Sequence, residues 1–418
     1  MYTLESPHMR LNLLPALFLS VTLHAQQNIQ LGYNLPEGTD KIKIPMELHN
    51  NLITIPVVIN RQLPLKFILD TGVRTAILTE KSYSDILGLP YSRQLSIASP
   101  GGEHLLTAYI ANDVSIFIPP GVTGRGHALL VLEKDYLELR NFLGAEVHGI
   151  LGYELFSRFV VVINYQERFI ELMDPGKFKP KRKYQVLPIS VEDTKPFLNT
   201  SVVLSGKKKE LKLLIDTGAS HSLILDPYSD SDLAVPEKNI SAVIGRALGG
   251  EITGKIGRID ALNLGKYNLA RAIVNYPDPN SYMDTLKASS VIRNGSIGGE
   301  VLNRFTVIFN YAGEKMYLKK NANYKKEFQT NMSGISFKAK GSKLRTFEII
   351  EVRVNSPAEE MGILIGDLLV SVNGRPAAGF ELNELTGEIS SKPGKKLTLE
   401  LSRNGQIIKK TIILREDI

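Results

Sequence analysis

The stretch "LLIDTGASHSLIL" at residues 213–225 is the most informative part of the chain. Three apolar residues lead into Asp216, and an apolar run returns a few residues later. Taken alone, this pattern predicts a strand that ends in an ordinary turn. A second stretch, "KFILDTGVRTAIL" at residues 66–78, repeats the pattern around Asp70. The repetition makes an isolated turn the weaker interpretation.

The similarity continues downstream of both stretches. Residues 148–173 (HGILGYELFSRFVVVINYQERFIELM) resemble residues 295–320 (GSIGGEVLNRFTVIFNYAGEKMYLKK). Each begins with an apolar segment ending in a glycine, Gly152 or Gly298, that follows the DTG aspartate by 82 residues (152 − 70 and 298 − 216). Matching residues at both ends of equal spacings indicate an internal duplication.

The predicted domains follow from this duplication. Short strand-like segments with turn residues between them dominate two homologous lobes, near 41–175 and 184–320, so each lobe is predicted to be mostly β. The only helices expected within the lobes are brief ones after Gly152 and Gly298. From about residue 331 the pattern becomes mixed, with two short helices and Asn-Gly hairpin turns, which predicts a small α+β domain at 331–418.

Paired aspartates have a direct chemical use. If the lobes face each other, Asp70 and Asp216 meet, and two close carboxyls share one proton because both cannot ionise cheaply. The ionised member is then a general base toward a water molecule, and the protonated member donates to a substrate carbonyl. Gly72 and Gly218 permit close approach of main-chain N–H groups. The threonines between them, at 71 and 217, are expected to form hydrogen bonds between the lobes.

With these motifs the sequence resembles the aspartic peptidases, specifically a retropepsin-like fold duplicated in one chain. The residues that carry the resemblance are Asp70-Thr71-Gly72, Asp216-Thr217-Gly218-Ala219-Ser220, Ile150-Leu151-Gly152 and Ser296-Ile297-Gly298. It implies two β-barrel lobes with one catalytic aspartate each, Asp70 and Asp216, and peptide or protein substrates. It also implies that one chain suffices for catalysis and that no metal or other cofactor is needed.

The same resemblance implies glycine-rich hairpins, called flaps, that close over the substrate. By position, the candidates are Gly101 and Gly102 in the first lobe and Gly249 and Gly250 in the second. As bare sequence, these pairs are equally typical of simple hairpin tips.

Two features depart from the family's pattern. Val73-Arg74 follows the first DTG, where a small residue and a small polar or acidic one are usual, and the polar Ser296 lies in an apolar signature. Arg74 either lowers the pKa values of the pair or binds a structural carboxylate without catalytic effect. The adjacent Ser220 and His221 also raise a serine-hydrolase hypothesis, which is disfavoured because neighbours on a strand point to opposite faces and G-x-S-x-G is missing.

The C-terminal domain resembles a PDZ domain on "SPAEEMGILIGDLLVSVNG", residues 356–374. That family binds extended peptide C-termini by strand addition beside a helix, with the carboxylate on loop N–H groups. The resemblance implies that "GISF", comprising Gly334, Ile335, Ser336 and Phe337, is the peptide-binding segment. Leu382 and Leu385 either line the groove or pack in the core of the domain.

Composition excludes several other functions. The chain has 418 residues, 43% of them hydrophobic, and no cysteine, which excludes disulfides and thiolate chemistry. Its seven histidines show no ligand-like spacing, so a histidine-based metal site is disfavoured. The formal charge of +7 comes from short basic clusters without interleaved aromatic residues. Such clusters are typical of solvated linkers and hairpin tips, so no nucleic-acid partner is predicted.

The N-terminus reads as an export signal. Residues 9–28 contain one basic residue, an apolar run and then small Ala25, so we expect a signal peptide at 1–25 and an exported, periplasmic or secreted protein. The alternative is a buried N-terminal helix. Met9 is a second possible start of translation. No later apolar run is long enough to span a membrane.

Together these features predict an exported aspartic endopeptidase with a PDZ-like domain that docks peptides. Two alternatives stay open. One is a catalytically silent peptide-binding protein that retains the cleft. The other is an adaptor in which the PDZ-like domain is the functional part.

Overall fold

The computed structural model describes residues 31–98, 105–247, 250–279 and 291–418. Strands make up most of its regular structure, as the sequence predicts. For reference, we call residues 31–178 region I, residues 179–320 region II and residues 331–418 region III. The predicted signal peptide at 1–25 lies outside the described residues.

Region I contains twelve strands and three short helices within the described residues. They are β1 (Gly32–Asn34), β2 (Lys41–Pro45), β3 (Glu47–His49), β4 (Leu52–Ile59), β5 (Leu63–Leu69), β6 (Ala76–Leu78), α1 (Lys81–Ile86), β7 (Tyr91–Ala98), β8 (Leu105–Ile118), β9 (Val122–Leu132), α2 (Leu139–Leu143), β10 (Gly149–Leu151), α3 (Tyr153–Arg158), β11 (Val160–Asn164) and β12 (Phe169–Met173). Most of the strands form one sheet in the order β1-β9-β6-β10-β5-β4-β8-β7. Because β8 also pairs with β9, this sheet curls back on itself.

Region II follows a similar course. Its elements are β13 (Gln185–Pro188), β14 (Ser190–Glu192), β15 (Lys195–Leu204), β16 (Lys207–Ile215), β17 (Leu223–Leu225), β18 (Asn239–Ala247), β19 (Gly250–Arg258), β20 (Ala261–Leu264), β21 (Tyr267–Ala270), β22 (Ile273–Pro277), β23 (Gly295–Ile297), α4 (Gly299–Leu302), β24 (Phe305–Asn310) and β25 (Lys315–Lys320). The main sheet runs β18-β19-β22-β17-β23-β16-β15-β20-β21. One of the short basic clusters, "GKKKE" at residues 206–210, starts in the turn between β15 and β16, and its first three residues are exposed.

A six-stranded sheet joins the two regions in the order β13-β25-β24-β11-β12-β2. At its centre, β11 pairs antiparallel with β24, and Val162 lies opposite Ile308. These two residues are 146 positions apart, the same separation as Thr71 and Thr217. Because a residue pairs with its own counterpart, an approximate local two-fold axis passes through this point of the sheet.

One buried apolar cluster runs through regions I and II. Strands covered on both faces are apolar at nearly every position, as in "LITIPVVI" of β4, where six of eight residues are buried. Within the described residues, no helix has the length and apolar character needed to cross a membrane.

Region III has its own apolar core, separate from that of the other two regions. Its elements are β26 (Ile335–Lys340), β27 (Thr346–Val352), α5 (Pro357–Glu360), β28 (Leu368–Val372), β29 (Arg375–Pro376), α6 (Leu382–Ile389), β30 (Lys396–Arg403) and β31 (Gln406–Ile413). The predicted short helices and Asn-Gly hairpin turn are present. Ser356 caps α5 ahead of Pro357, and the turn at Asn404-Gly405 has positive φ at both residues.

Candidate active site and peptide-docking domain

The two DTG turns are held in the same way in regions I and II. Strand β10 lies between β5 and β6, parallel to the first and antiparallel to the second, so it spans the base of the first turn. The N–H of Asp70 donates to the carbonyl of Leu151 at 2.8 Å. In region II, β23 lies between β16 and β17, and the N–H of Asp216 donates to Ile297 at 2.9 Å. Each aspartate therefore directly follows a strand, β5 or β16, and the base of its turn is held by the central strand β10 or β23.

The threonines of the two turns form a reciprocal hydrogen-bond network. The hydroxyl of Thr71 donates to the carbonyl of Ile215 at 2.6 Å and accepts the N–H of Thr217 at 3.0 Å. In return, the hydroxyl of Thr217 donates to the carbonyl of Leu69 at 2.8 Å and accepts the N–H of Thr71 at 3.0 Å. Both side chains are fully buried. The four bonds connect the turns directly, as the sequence predicts for these residues.

The network brings the two carboxyl groups together. Oδ1 of Asp70 accepts the N–H of Gly72 at 2.6 Å, and Oδ1 of Asp216 accepts the N–H of Gly218 at 2.9 Å. A β-carbon placed on Gly218 would lie only 2.1 Å from Cγ of Asp70. Any larger residue at 218 would therefore force the carboxyls apart, which accounts for glycine at this position.

The pair retains some solvent exposure, yet the surrounding protein removes much of its hydration. Burial raises the pKa of Asp70, and the charge of Asp216 raises it further. Burial also raises the pKa of Asp216, but the hydrogen bond from Asp70 works in the opposite direction. Because both carboxyls cannot ionise cheaply at this distance, the two aspartates are expected to share one proton as a pair.

The cations that act on this pair were not identified from the sequence. Arg74 is exposed. The positive charges that lower the pKa values are those of Lys195, which acts on both aspartates, and Arg293, which acts on Asp216. Both are brought near the pair by the fold from distant positions in the chain. The sequence offers no local signal for either.

Tyr311 is another residue near the pair that the sequence did not single out. Its hydroxyl is buried and has no hydrogen-bond partner among the described residues. Burial raises the pKa of Tyr311 well above its usual value, and the charges of Asp70 and Asp216 add to that effect. The ring stacks on Phe156 of α3. The available signal was the repeated Asn-Tyr, in which the asparagine ends β11 or β24 and the tyrosine follows the strand. Tyr165 occupies the equivalent position in region I.

The predicted apolar-Gly segments pack directly behind the turns. A β-carbon on Gly152 would lie 2.2 Å from the carbonyl oxygen of Val73 and 2.4 Å from that of Asp70. One on Gly298 would lie 2.2 Å from the carbonyl oxygen of His221. Both glycines thus allow main chain to contact main chain behind the aspartates.

Replacing Gly152 by Ala is expected to lower the free energy of unfolding by about 2–3 kcal/mol, because main-chain atoms must move to admit the methyl group. Urea unfolding followed by circular dichroism measures the change. Gly387 in α6 is a matched control, since nothing lies within 4 Å of its β-carbon position. There Ala is expected to stabilise the helix by about 0.5–1 kcal/mol. Wild-type stability in Gly152→Ala would contradict the packing argument.

Ser220 and His221 do not form a nucleophile–base pair. Ser220 is exposed, and its carbonyl accepts from the side chain of Asn51 at 3.1 Å. The ring of His221 lies 3.1 Å from the hydroxyl of Ser296 instead. Burial lowers the pKa of His221 to about 4, so the ring is neutral. The polar Ser296 in the apolar signature is thus a partner of this buried histidine. Within the described residues, no three His, Asp or Glu side chains cluster as metal ligands would.

Two hairpins lie at the predicted flap positions. In region I the hairpin consists of β7 and β8, and in region II of β18 and β19. Gly101, Gly102 and Gly249 lie outside the described residues, so their predicted role stays a prediction. Gly250 opens β19 with a φ of +133°, a conformation that glycine readily adopts.

The predicted peptide-binding segment begins β26. Gly334 has a φ of +80° and precedes the strand, while Ile335, Ser336 and Phe337 start it. The N–H groups of Gly334 and Ile335 are already bonded, to Oδ1 of Asn331 and Oγ of Ser333, both at 3.0 Å. The loop donors expected to bind a carboxylate are therefore satisfied by neighbouring side chains in this conformation.

The two leucines of α6 lie in the core of region III. Leu382 and Leu385 are 3% and 1% exposed and belong to its apolar cluster. Of the two alternatives left by the sequence, packing in the core is the one observed.

Comparison with protein families identifies one domain. Residues 348–403 match the family model described as PDZ domain. The match begins within β27 and ends with β30, so it includes α5, the turn at Asn373-Gly374 and α6, whereas "GISF" lies before it. The chain therefore contains a PDZ domain within residues 348–403.

Proposed function

We propose that the protein is an aspartic endopeptidase in which Asp70 and Asp216 activate a water molecule. The observation that carries the proposal is the close approach of the two DTG turns, which hydrogen bonds between Thr71 and Thr217 hold together. Burial and the charge of Asp216 raise the pKa of Asp70, as expected for a pair that shares one proton. The similar strand framework around both turns supports two retropepsin-like lobes, near 41–175 and 184–320. The export signal predicted at 1–25 supports an activity outside the cytoplasm.

The reaction follows from the protonation of the pair. A water molecule between the carboxyls loses a proton to ionised Asp216 as its oxygen attacks the scissile carbonyl carbon. Asp70 donates its proton to the carbonyl oxygen, which gives a neutral tetrahedral intermediate. Asp216 then returns its proton to the leaving nitrogen as the C–N bond breaks, and a hydroxyl of the intermediate gives its proton to Asp70, which restores the starting state of the pair. Because water is the nucleophile and the pair only transfers protons, the reaction needs no covalent enzyme intermediate.

Because PDZ domains bind peptides, the chain is expected to bind peptides through this domain as well. In a peptidase it either recruits substrates or restrains the active site. If the wild-type chain cleaves nothing, the same domain supports the second candidate function, a peptide-binding or adaptor protein.

The test is cleavage of a denatured, unlabelled protein substrate between pH 3 and pH 9, followed by mass spectrometry of the products. A statine-type mimic of the tetrahedral intermediate is expected to bind and to inhibit. Lack of cleavage at every pH, together with lack of binding of the mimic, would remove the peptidase proposal.

The pH profile of kcat/KM is expected to be bell-shaped. Activity falls at low pH when the ionised member takes up a second proton, and at high pH when the shared proton is lost. Because the pKa of Asp70 is raised, the upper limb should lie above the usual titration range of an aspartate, near 4.

The Lys195→Met variant should move both limbs of this profile to higher pH. The charge of Lys195 lowers the pKa of each aspartate, so its removal disfavours both ionised forms. The exposed Lys208→Met serves as the control. Identical profiles for the two variants would contradict the assignment of Lys195.

A further inference from the structure

The peptide-docking edge of region III is covered by region I. Strand β26 is the edge of the sheet in region III, because among the described strands it pairs with β27 alone. A peptide that adds to a PDZ domain lies between such an edge and a helix, here β26 and α6. Helix α2 of region I lies beside β26 in this structure.

Specific contacts hold α2 there. The side-chain amide of Asn141 donates to the carbonyl of Ala339 on β26 at 2.7 Å, so one main-chain acceptor of the edge strand is already used. Lys338, only 17% exposed, forms a 2.6 Å ion pair with Glu138. Both contacts lie in the second half of the strand, directly after the predicted binding segment, where the upstream part of a bound peptide would pair.

The segment after α2 reaches the helix side of the groove. A β-carbon on Gly144 would lie 2.6 Å from Cβ of Leu382, the first residue of α6, so region I touches α6 as closely as glycine allows. The N–H of Asn50 donates to the side chain of Asn383 at 2.9 Å. Region I therefore contacts both walls of the groove, β26 and α6.

Region III also holds the β18–β19 hairpin of region II. The N–H of Val243 on β18 donates to Oε1 of Glu351 at 3.0 Å. Phe142 of α2 lies between two cations, with the guanidinium of Arg246 at 4.0 Å and Nζ of Lys338 at 5.1 Å from its ring centroid. A cavity of about 240 Å³ lies between β18 and region III beside the Val243–Glu351 contact. The contacts described here thus attach the hairpin to region III through the Val243–Glu351 hydrogen bond and to α2 through Arg246.

We propose that this conformation is self-inhibited: α2 occupies the peptide groove of the PDZ domain, and a peptide with a free C-terminal carboxylate opens the molecule by displacing α2 and freeing the β18–β19 hairpin. The bonded N–H groups of Gly334 and Ile335 fit a closed groove. Residues 138–142 contact β26 and the turn after it through two hydrogen bonds, from Asn141 to Ala339 and from Arg140 to Ser342, the ion pair of Glu138 with Lys338, and the cation–π contact of Lys338 with Phe142. These contacts are few enough for a peptide to replace. Gating of the active site rests on the proposed peptidase function, whereas closure of the groove does not.

The test uses the full chain with Asp216→Asn, so that binding is measured without cleavage. Glu138→Lys places a like charge opposite Lys338, and Asn141→Ala removes the bond to the edge strand; both changes lie outside region III. The probe is an immobilised library of random decapeptides with free carboxyl termini, compared with the same library amidated. Glu210→Lys, in the exposed ion pair with Lys208, makes the same charge change elsewhere.

The opened double variant is expected to be retained about tenfold more strongly than its parent on the free-carboxyl library alone. Hydrogen exchange of residues 239–247 should rise in it, while the Glu210→Lys control should match the parent in both measurements. Equal retention of the double variant and its parent, whether high or low, would overturn the proposal. If retention rises while no chain with both aspartates cleaves protein, the closed groove stands and the peptidase proposal fails.

Discussion

Asp216→Asn and Asp70→Asn are each expected to lower kcat/KM for peptide-bond cleavage by at least about a thousandfold, because either change removes the proton acceptor or the proton donor of the reaction. Each variant should also lose binding of the statine-type mimic, which depends on the shared proton. Cleavage of denatured protein and calorimetric binding measure the two effects. Asp193→Asn, in an exposed turn between β14 and β15, should behave as wild type. Cleavage that survives both dyad substitutions would disprove the assignment.

Unfolding does not explain this expected loss. An asparagine at 70 keeps an oxygen for the N–H of Gly72 and a donor for Asp216. An acid whose pKa is raised in the folded state destabilises the fold as pH rises through its unfolded pKa, near 4, toward its folded value. Because Asp70→Asn removes this titrating carboxyl, the free energy of unfolding should be about 1–2 kcal/mol higher than that of the wild type at pH 7 and equal to it at pH 3. A variant both inactive and more stable is the expected outcome.

Thr217→Val is expected to cause the largest loss of stability among these substitutions, about 3–5 kcal/mol in urea unfolding. Valine has the shape of threonine but leaves the carbonyl of Leu69 and the N–H of Thr71 buried without partners, at about 1–3 kcal/mol each. Loss of these bonds also frees the two turns to separate, so kcat should fall while region III remains folded around its own core.

Thr217→Ser separates the hydroxyl from the methyl group. Serine retains both hydrogen bonds and loses one buried methyl, which corresponds to about 1 kcal/mol. Most of the activity should remain. Equal effects of Val and Ser would show that packing, and not the reciprocal network, holds the turns together.

The strand character of the chain and the pairing of the aspartates could be predicted because both are encoded locally. Alternating and continuous apolar runs predict strands wherever they occur, and the described residues are mostly strand. The DTG turns recur with equal spacing to a matched glycine, so the sequence alone predicts a common framework around Asp70 and Asp216. The PDZ domain likewise follows from a continuous motif, and the family match at 348–403 confirms it.

The electrostatic surroundings of the pair could not be predicted in this way. Arg74, next to the first DTG, drew attention because of its position in the sequence, yet it is exposed. Lys195 and Arg293 act on the pair from positions that no local pattern connects with it. Charge acts through space over several ångströms, so only the folded chain determines which cations matter.

The sequence by itself determined that two DTG turns exist, that each leaves a strand and meets a glycine, and that a PDZ domain follows. Only the tertiary structure decided which surfaces of that domain are free. Asn141 and Ala339, which meet at 2.7 Å, are 198 residues apart, and neither belongs to a motif. Local sequence patterns show whether a segment forms a strand, a helix or a turn, because these depend on hydrogen bonds and burial within or next to the segment. Contacts between the cores of regions I and III depend on how these cores lie relative to each other, and in this structure that arrangement puts α2 over the groove.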